Sequence, residues 1–345
     1  MQLPRAVLIG RGTLSKINFL CDDLKLYGKA LVITGEKTYK IAGRKACDIL
    51  SEKREIETVK IESPSLEEVE KVKEIAKNKK IEFMVGVGGG KVIDVTKLAA
   101  SEIGVEFISV PTAASHDGIA SSRASIKEGG GNISIQARAP LGVLADIDII
   151  IKSPYRLTAA GCGDIISKFT AVKDWMLSHQ VTGEEISEYA CALSLMTAKI
   201  IKDSREDIKK RDERSLRKVV KALISSGVAM SIAGSSRPGS GSEHKFSHAL
   251  DRIAPEPALH GEQCGVGAIM MMYLHGGDWR DIRETLRIIG APTNSEELGI
   301  ENRYIIKALV ETKKIRPDRY TIIEHIGGLD PKQAKKLALA TGVIS

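Results

Sequence analysis

The sequence predicts an α/β domain, a parallel sheet with helices on both faces, over residues 1–152 and an all-helical domain over residues 153–345. Three observations carry this. Short β-prone apolar runs alternate with amphipathic segments through the first half, the pattern of strand–helix–strand crossovers. Beyond Ser153-Pro154 strand signals nearly vanish and amphipathic segments follow one another. The 345 residues suffice for two domains of ordinary size, and aromatics at 4% leave the core to Ile, Leu, Val and Ala, as suits a sheet covered by helices.

In chain order, Ala30–Thr34 is a β-prone run ending at Gly35, and Thr58–Glu62 is a weaker strand. Ser65–Lys80 opens on a capping box, with Ser65 at the N-cap and Glu68 reaching back from N3. Leu66, Val69, Val72, Ile75 and Ala76 follow at helical spacing. Phe83–Val87 is a strand leading through a glycine run into a helix over Val92–Ala100, and Val105–Val110 is the next strand. Ser122–Lys127 and Asn132–Ala137 flank Glu128-Gly129-Gly130-Gly131 and read as a hairpin. Leu141–Ile151 is the last apolar run of the first domain. Helical segments then cover Ala159–Leu177, Glu184–Lys202, Glu206–Ser225, Ser242–Arg252, Gly261–Leu274, Asp278–Ile289, Asn302–Thr312 and Pro331–Ala340.

Composition narrows the function classes. No run of 18 apolar residues exists and Met1–Gly10 has no apolar signal core, so neither a membrane span nor a secretory signal is expected. The five cysteines are odd in number and include no C-x-x-C pair. That argues against a disulfide framework or a thiolate zinc finger and for a reducing cytoplasm. The formal charge of +7 lies on helix faces where Lys and Glu interleave, as in Glu67–Lys80 and Asp203–Lys221. No one-sign stripe with interleaved aromatics exists, so no nucleic-acid partner is expected. A positive excess does favour anionic substrates and cofactors.

Three motifs carry chemistry. In Gly86-Val87-Gly88-Gly89-Gly90-Lys91-Val92-Ile93-Asp94 a strand ends in glycines where a helix begins, so backbone N–H groups can meet a phosphate closely. Three consecutive glycines are not the spaced dinucleotide fingerprint, and no Ser or Thr follows Lys91 as in a P-loop. The residues alone define a general pyrophosphate cradle, a tight turn without ligand being the alternative. Pro111–Ser122 follows a strand and so lies at the carboxyl edge of the sheet. It holds several hydroxyls, one His (His116) and one carboxylate, of which Ser and Thr suit ribose and phosphate contacts and Asp117 a substrate hydroxyl, a polar loop capped by its own side chains being the alternative. The third set is dispersed. Asp164 sits among glycines, His244 and His248 share a helix face, and His260 falls at a helix start. Asp with His ligands suits a catalytic zinc with an open position. Spacing alone leaves open which histidines bind. Lys245 stands where the zinc-protease helix needs a general-base Glu, which argues against a hydrolase. His179, His275 and His325 read as structural.

Gly88–Asp94, Thr112–Ser122, Gly163–Lys168, Ser242–His248 and His260 together resemble, in order and spacing, the motifs of the mainly archaeal glycerol-1-phosphate dehydrogenases. That family lies within the iron-alcohol-dehydrogenase and glycerol-dehydrogenase superfamily. The segments SHDGIASS and SGSEHKFSHALD are the most specific, and the resemblance spans essentially the whole chain. It implies a Rossmann-like parallel-sheet domain followed by an all-α domain, a dehydroquinate synthase-like or glycerol dehydrogenase-like fold. It implies zinc on Asp164, His244 and His260, His248 as a substrate contact or proton relay, and Asp117 near the substrate. It places the pyrophosphate of NAD(H) or NADP(H) on Gly88, Gly89, Gly90 and Lys91, with Val92, Asp94, Thr112, Ala113, Ala114, Ser115 and Ser121 close to the nucleotide.

The implied reaction reduces dihydroxyacetone phosphate to glycerol 1-phosphate for archaeal ether lipids, in a homo-oligomer. Arg123, Lys127 and Arg237 are candidates for the substrate phosphate by location. At the end of the Ala30–Thr34 strand, Glu36 favours NAD while Lys37 and Thr38 tolerate the phosphate of NADP, which predicts use of both. Three rival readings are a dehydrogenase of free glycerol, a lyase of the dehydroquinate synthase type that recycles its NAD, and a non-catalytic metal or nucleotide sensor.

Overall fold

Runs of Ile, Val and Leu with no polar face become strands buried on both sides, as a parallel sheet requires. The computed structural model describes residues 2–128 and 131–345. Its strands are β1 (Ala6–Gly10), β2 (Ala30–Thr34), β3 (Ile56–Lys60), β4 (Phe83–Gly88), β5 (Glu106–Pro111), β6 (Arg123–Glu128), β7 (Gly131–Gln136) and β8 (Gly142–Asp146). Six form one parallel sheet in the order β1-β8-β5-β4-β2-β3, and β6 pairs antiparallel with β7. The chain divides into two compact units, Met1–Pro154 and Tyr155–Ser345, the second entirely helical among its regular elements. No described helix is long and apolar enough to cross a membrane.

Alternate residues of each strand serve two cores. Ala30, Val32 and Val85 pack with Leu20, Cys47 and Leu50 from helices Ile17–Asp23 and Arg44–Ser51. Leu31, Ile33 and Met84 pack with Val69, Val72, Val95 and Leu98 from helices Leu66–Asn78 and Gly90–Ile103. From β2 the chain steps outward to β3. From β4 it steps the other way, to β5 and β8. The switch in direction therefore falls between β2 and β4, the place where an open α/β sheet leaves a crevice at its carboxyl edge.

Several local expectations are corrected. β1 was not legible as a strand, because a five-residue edge run carries too little pattern. Ser65 caps its helix, but Glu68 accepts from the Glu62 N–H and not from Ser65, so the box is half formed. Gly129 and Gly130 of the hairpin turn lie outside the described residues. The segment read as one helix over Ala159–Leu177 is two, Tyr155–Ile166 and Lys168–Thr182. Between them the Ser167 hydroxyl donates back to the Asp164 carbonyl, which competes with the helical ladder. The segment read over Glu206–Ser225 breaks at Arg211, which is left-handed. A longer helix, Glu213–Ala233, restarts there because the Asp212 carboxylate accepts from Ser215 N.

One buried ion pair ties the carboxyl-edge loop to the sheet. Lys97 is fully buried, and its Nζ donates to Asp94 Oδ1 at 3.0 Å, to Gly118 O at 2.8 Å and to Arg123 O at 2.5 Å. Losing the cation takes the charged partner from a buried carboxylate and a donor from each of two carbonyls. Lys97→Met is expected to destabilise the protein by about 3–5 kcal/mol, and adding Asp94→Leu to restore much of that loss. Urea denaturation of the two variants beside the parent measures both effects.

Candidate functional site

Asp164 is the centre of the helical unit's polar core. It is fully buried near the end of helix Tyr155–Ile166. Its Oδ1 accepts from Lys168 Nζ at 2.6 Å and lies 3.7 Å from His244 Nε2. His244 stands in the first turn of helix Ser242–Ile253, and His260 opens helix His260–Leu274, with the two ring centroids 4.9 Å apart. Each ring has its Nδ1 engaged, His244 with Glu243 Oε1 at 2.8 Å and His260 with Ser247 Oγ at 3.2 Å. A carboxylate partner such as Glu243 favours the proton on Nδ1, which leaves the lone pair on Nε2, the form that ligates metals. The Ser247 hydroxyl serves either tautomer of His260.

The electrostatics agree with that state. Burial opposes the Asp164 charge, but Lys168 and the two imidazoles outweigh it and hold the carboxyl below the usual carboxylate range. Desolvation, then the neighbouring His244, pushes His260 down to about 3, so the ring is neutral. Burial and then the Asp174 charge push Glu243 up to about 7. His248 lies one turn beyond His244, buried, with its Nδ1 unbonded and 3.8 Å from Asp251 Oδ2. Its ring centroid is 5.9 Å from that of His260.

Cys264 enters this cluster unannounced by the sequence, its Sγ and one nitrogen of each imidazole lying within 4.8 Å of one another. The geometry argues against a thiolate ligand. Sγ is 3.8 Å from His260 Nδ1 and 3.6 Å from Nε2. A sulfur sharing a tetrahedral zinc with an imidazole would lie ~3.5 Å from the bound nitrogen and ~5 Å from the other, given Zn–S of about 2.3 Å and Zn–N of about 2.0 Å. A sulfur equidistant from both nitrogens is not beyond either lone pair. Burial also raises the thiol well above its ordinary pKa. The donors that fit a divalent metal are thus one carboxylate and two imidazoles, which leaves a coordination position to spare.

Glycines beside the donors let these helices approach. A Cβ on Gly163 would collide with the carbonyl oxygen of Gly261, and one on Gly261 with that of Ala160. Both obstacles are backbone, so neither can swing away.

In the other unit, register pairs Thr34 with Val87 and Gly88 with Pro111, so the turns after β2, β4 and β5 leave one carboxyl edge. The three glycines there differ. A Cβ on Gly88 would press on Val92 at 2.6 Å, and one on Gly90 would collide with His116, whereas nothing lies within 4 Å of Gly89. Two glycines therefore serve packing, and the N-cap between them leaves its backbone open to a ligand. Lys91 is exposed, and Val92 is buried. Thr112 donates its N–H to Gly88 O at 3.0 Å, joining the two loops. Ala113 and Ala114 are buried, Ser115 is half-buried, and the Ser121 hydroxyl turns inward to accept from Arg123 N at 3.5 Å. Asp94 is buried against Lys97, and Asp117 heads a short turn. His116, given no role in the sequence reading, accepts from Gly118 N–H at 2.9 Å. The glycines it wedges between, Gly90 and Gly118, were the only signal of it.

Two phosphate candidates are already engaged. Arg123 donates to Ser134 and Gln136, and Arg237 to Glu184, Ser178 and Tyr320 O. Ser178 stands ten residues along the helix from Lys168, ~15 Å away and too far for a three-carbon substrate at Asp164. Lys127 is exposed. At the end of β2, Glu36 is paired to Lys60 at 2.8 Å, which holds its carboxyl below the usual value, and the Thr38 hydroxyl is taken by the turn it caps. His179, His275 and His325 each hydrogen-bond within the fold.

Residues 8–154 match the iron-containing alcohol dehydrogenase family. The fold is similar to that of the glycerol dehydrogenase of Schizosaccharomyces pombe, with a TM-score of 0.84 at 21% identity over 99% of this chain and 89% of that one. The NADH-dependent butanol dehydrogenase A of Thermotoga maritima gives 0.77 at 17% identity, over 99% and 98%. These likenesses define the fold class. Sequence defines the family within it. The chain is 57% identical to the NAD(P)+ glycerol-1-phosphate dehydrogenase of Methanosarcina mazei, over 100% of this chain and 97% of the relative. It is 54% identical to that of Thermococcus sibiricus, over 100% and 98%. The chain belongs to the glycerol-1-phosphate dehydrogenase family.

The helix crossing gives a direct test. Gly261→Ala forces two backbones apart and is expected to cost about 1–3 kcal/mol. Gly265→Ala on the same helix meets its nearest neighbours only at 3.4 Å, so it should be neutral or gain up to about 1 kcal/mol of helix propensity. Thermal unfolding of the two metal-free variants should show opposite or clearly unequal shifts.

Proposed function

We propose that this chain is an oxidoreductase reducing dihydroxyacetone phosphate to sn-glycerol 1-phosphate with NADH or NADPH, supplying the backbone of archaeal ether phospholipids. The reading includes a zinc ion on Asp164, His244 and His260. The observation that carries it is the convergence of buried Asp164 and His244 with half-buried His260, both imidazoles having Nδ1 engaged, in a chain of this family.

When bound, the zinc supplies Lewis-acid polarisation of the C2 ketone and the nicotinamide supplies a hydride. The chain's own residues do the rest. Asp164, His244 and His260 hold the ion. His248, held by no hydrogen bond at Nδ1 and backed by Asp251, delivers the proton to the C2 oxygen. Asp117 accepts from the substrate hydroxyl. Gly88, Gly89, Gly90 and Lys91 receive the pyrophosphate at the helix N-terminus, with Val92 packing beneath. Thr112, Ala113, Ala114, Ser115 and Ser121 form the loop along the nucleotide, and Asp94 steadies that loop through Lys97.

Mixing enzyme, NADH, zinc and dihydroxyacetone phosphate should give net NADH oxidation and the sn-1 enantiomer. No net oxidation, or equal activity on free glycerol, would sink the reading. Asp164→Ala, His244→Ala and His260→Ala should lose metal and activity together, while His248→Ala keeps its metal and loses ~10²–10⁴ in kcat. Elemental analysis beside kinetics separates the two classes.

Cofactor choice rests on the edge after β2. Glu36 meets the ribose hydroxyl of NADH, while Lys60 and Lys40, its partners at 2.8 and 3.6 Å, offset its repulsion of the phosphate of NADPH. Exposed charge pairs of this kind are screened by solvent and contribute little, so kcat/KM for the two cofactors should lie within about tenfold. Glu36→Ala is expected to shift the ratio toward NADPH and Lys60→Ala toward NADH, read by steady-state kinetics.

A further inference from the structure

Among the charged side chains that the helical unit buries, one touches a proposed ligand and has no role in the chemistry above. Glu243 is fully buried, directly before His244. Its Oε1 accepts from His244 Nδ1 at 2.8 Å and from Gly241 N–H at 2.7 Å, and its Oε2 accepts from Thr170 Oγ1 at 2.8 Å. A Cβ on Gly241 would lie 2.5 Å from Asp174 Oδ2, 2.8 Å from Ala171 Cα and 2.9 Å from Glu243 Oε2, so two carboxylates and a neighbouring backbone close on the glycine there. Consecutive helical residues point about 100° apart and do not normally face each other. Here the neighbour's ring is nonetheless reached, and among the described residues no lysine or arginine pairs with this carboxylate.

We propose that Glu243 is a positioning residue for the metal: its carboxylate holds His244 as the Nδ1–H tautomer with the Nε2 lone pair toward Asp164, and its charge strengthens metal binding through the ring. This rests on the reading of His244 as a ligand. A buried carboxylate with no cation of its own is costly, and a dication on the far side of the imidazole offsets that cost, as in carboxylate–histidine–metal triads. The other ring is held differently. His260 Nδ1 meets the neutral Ser247 hydroxyl, itself bonded by Gln263 Nε2 at 2.9 Å. The anionic support therefore acts on one of the two imidazoles alone.

The alternative is that Glu243 only fastens the helix start to Thr170 and Gly241. Zinc dissociation constants of the full-length protein, measured at fixed pH by chelator competition, and thermal unfolding of the metal-free protein separate the two. Glu243→Gln keeps an acceptor at the ring and removes the charge. It should weaken zinc binding roughly 10–100-fold while the metal-free protein melts as the parent does. Thr170→Val should lower the melting temperature and leave the zinc constant unchanged. Parent-like zinc affinity in Glu243→Gln overturns the proposal. If that variant does not fold, Glu243→Asp draws the carboxylate back from the ring and should weaken binding likewise, parent-like affinity again overturning it. His244→Ala that still binds zinc at full stoichiometry would instead overturn the ligand assignment itself.

Discussion

The helical site depends on how closely two helix backbones approach. Asp164 and His260 are adjacent in sequence to Gly163 and Gly261, and those glycines are where helices Tyr155–Ile166 and His260–Leu274 touch through main chain alone. Donors that must converge on one small ion cannot sit on helices separated by ordinary side chains, because interaxial distances of 8–10 Å leave too wide a gap for a short carboxylate. Removing Cβ atoms at the crossing closes it. The glycines flanking the acid and the histidine in sequence are therefore part of the site, although they offer no donor.

Closeness of that kind gathers charge where water is absent. Asp164, Lys168 and Glu243 are all fully buried. Lys168 Nζ bridges Asp164 Oδ1 and Gly239 O, so the carboxylate is neutralised within the protein itself. A buried pair of this sort adds little stability. Its value is geometric, since the carboxylate is already aimed. In the proposed reading Glu243 keeps the adjoining ring in its ligand tautomer. The buried thiol of Cys264 lies across the His260 ring.

The sequence made the sheet legible where strands are central and glycine marks their ends. β2, β4 and β5 sit within a residue of the expected runs, since strands buried on both faces must be apolar throughout. It concealed β1, which is short and at an edge, and the break at Ser167, which comes from a side-chain hydroxyl and leaves the helical periodicity intact. Site residues with distinctive chemistry were visible as residues, but their partners were not. Lys97 was not singled out, yet it is buried: beside Asp94 on its own helix, its other acceptors, Gly118 O and Arg123 O, lie 21 and 26 residues further along the chain. Arg237 looked available and is consumed by Glu184. Pairing across long sequence separations leaves no local pattern to read.

Helix Ser242–Ile253 shows why one segment was so recognisable. Every residue from Ser242 to Asp251 is buried, although most are polar. A helix buried all round is ordinarily apolar, and each polar group placed there needs a partner. Ser242 donates to Asp174, Glu243 accepts from three donors, Lys245 donates to Glu324 and Arg319 O, and Ser247 meets His260 and Gln263. Asp251 takes the remaining Gln263 donor at 2.9 Å and stands behind His248. Each position is thus fixed by a different neighbour, so few sequences can occupy this helix. The specificity of the motif is the requirement that most buried polar atoms around the donors be satisfied. Among the described residues of this cluster His248 Nδ1 and Gln263 Oε1 are buried without a hydrogen bond, and the first belongs to the residue whose proposed task is to change its proton.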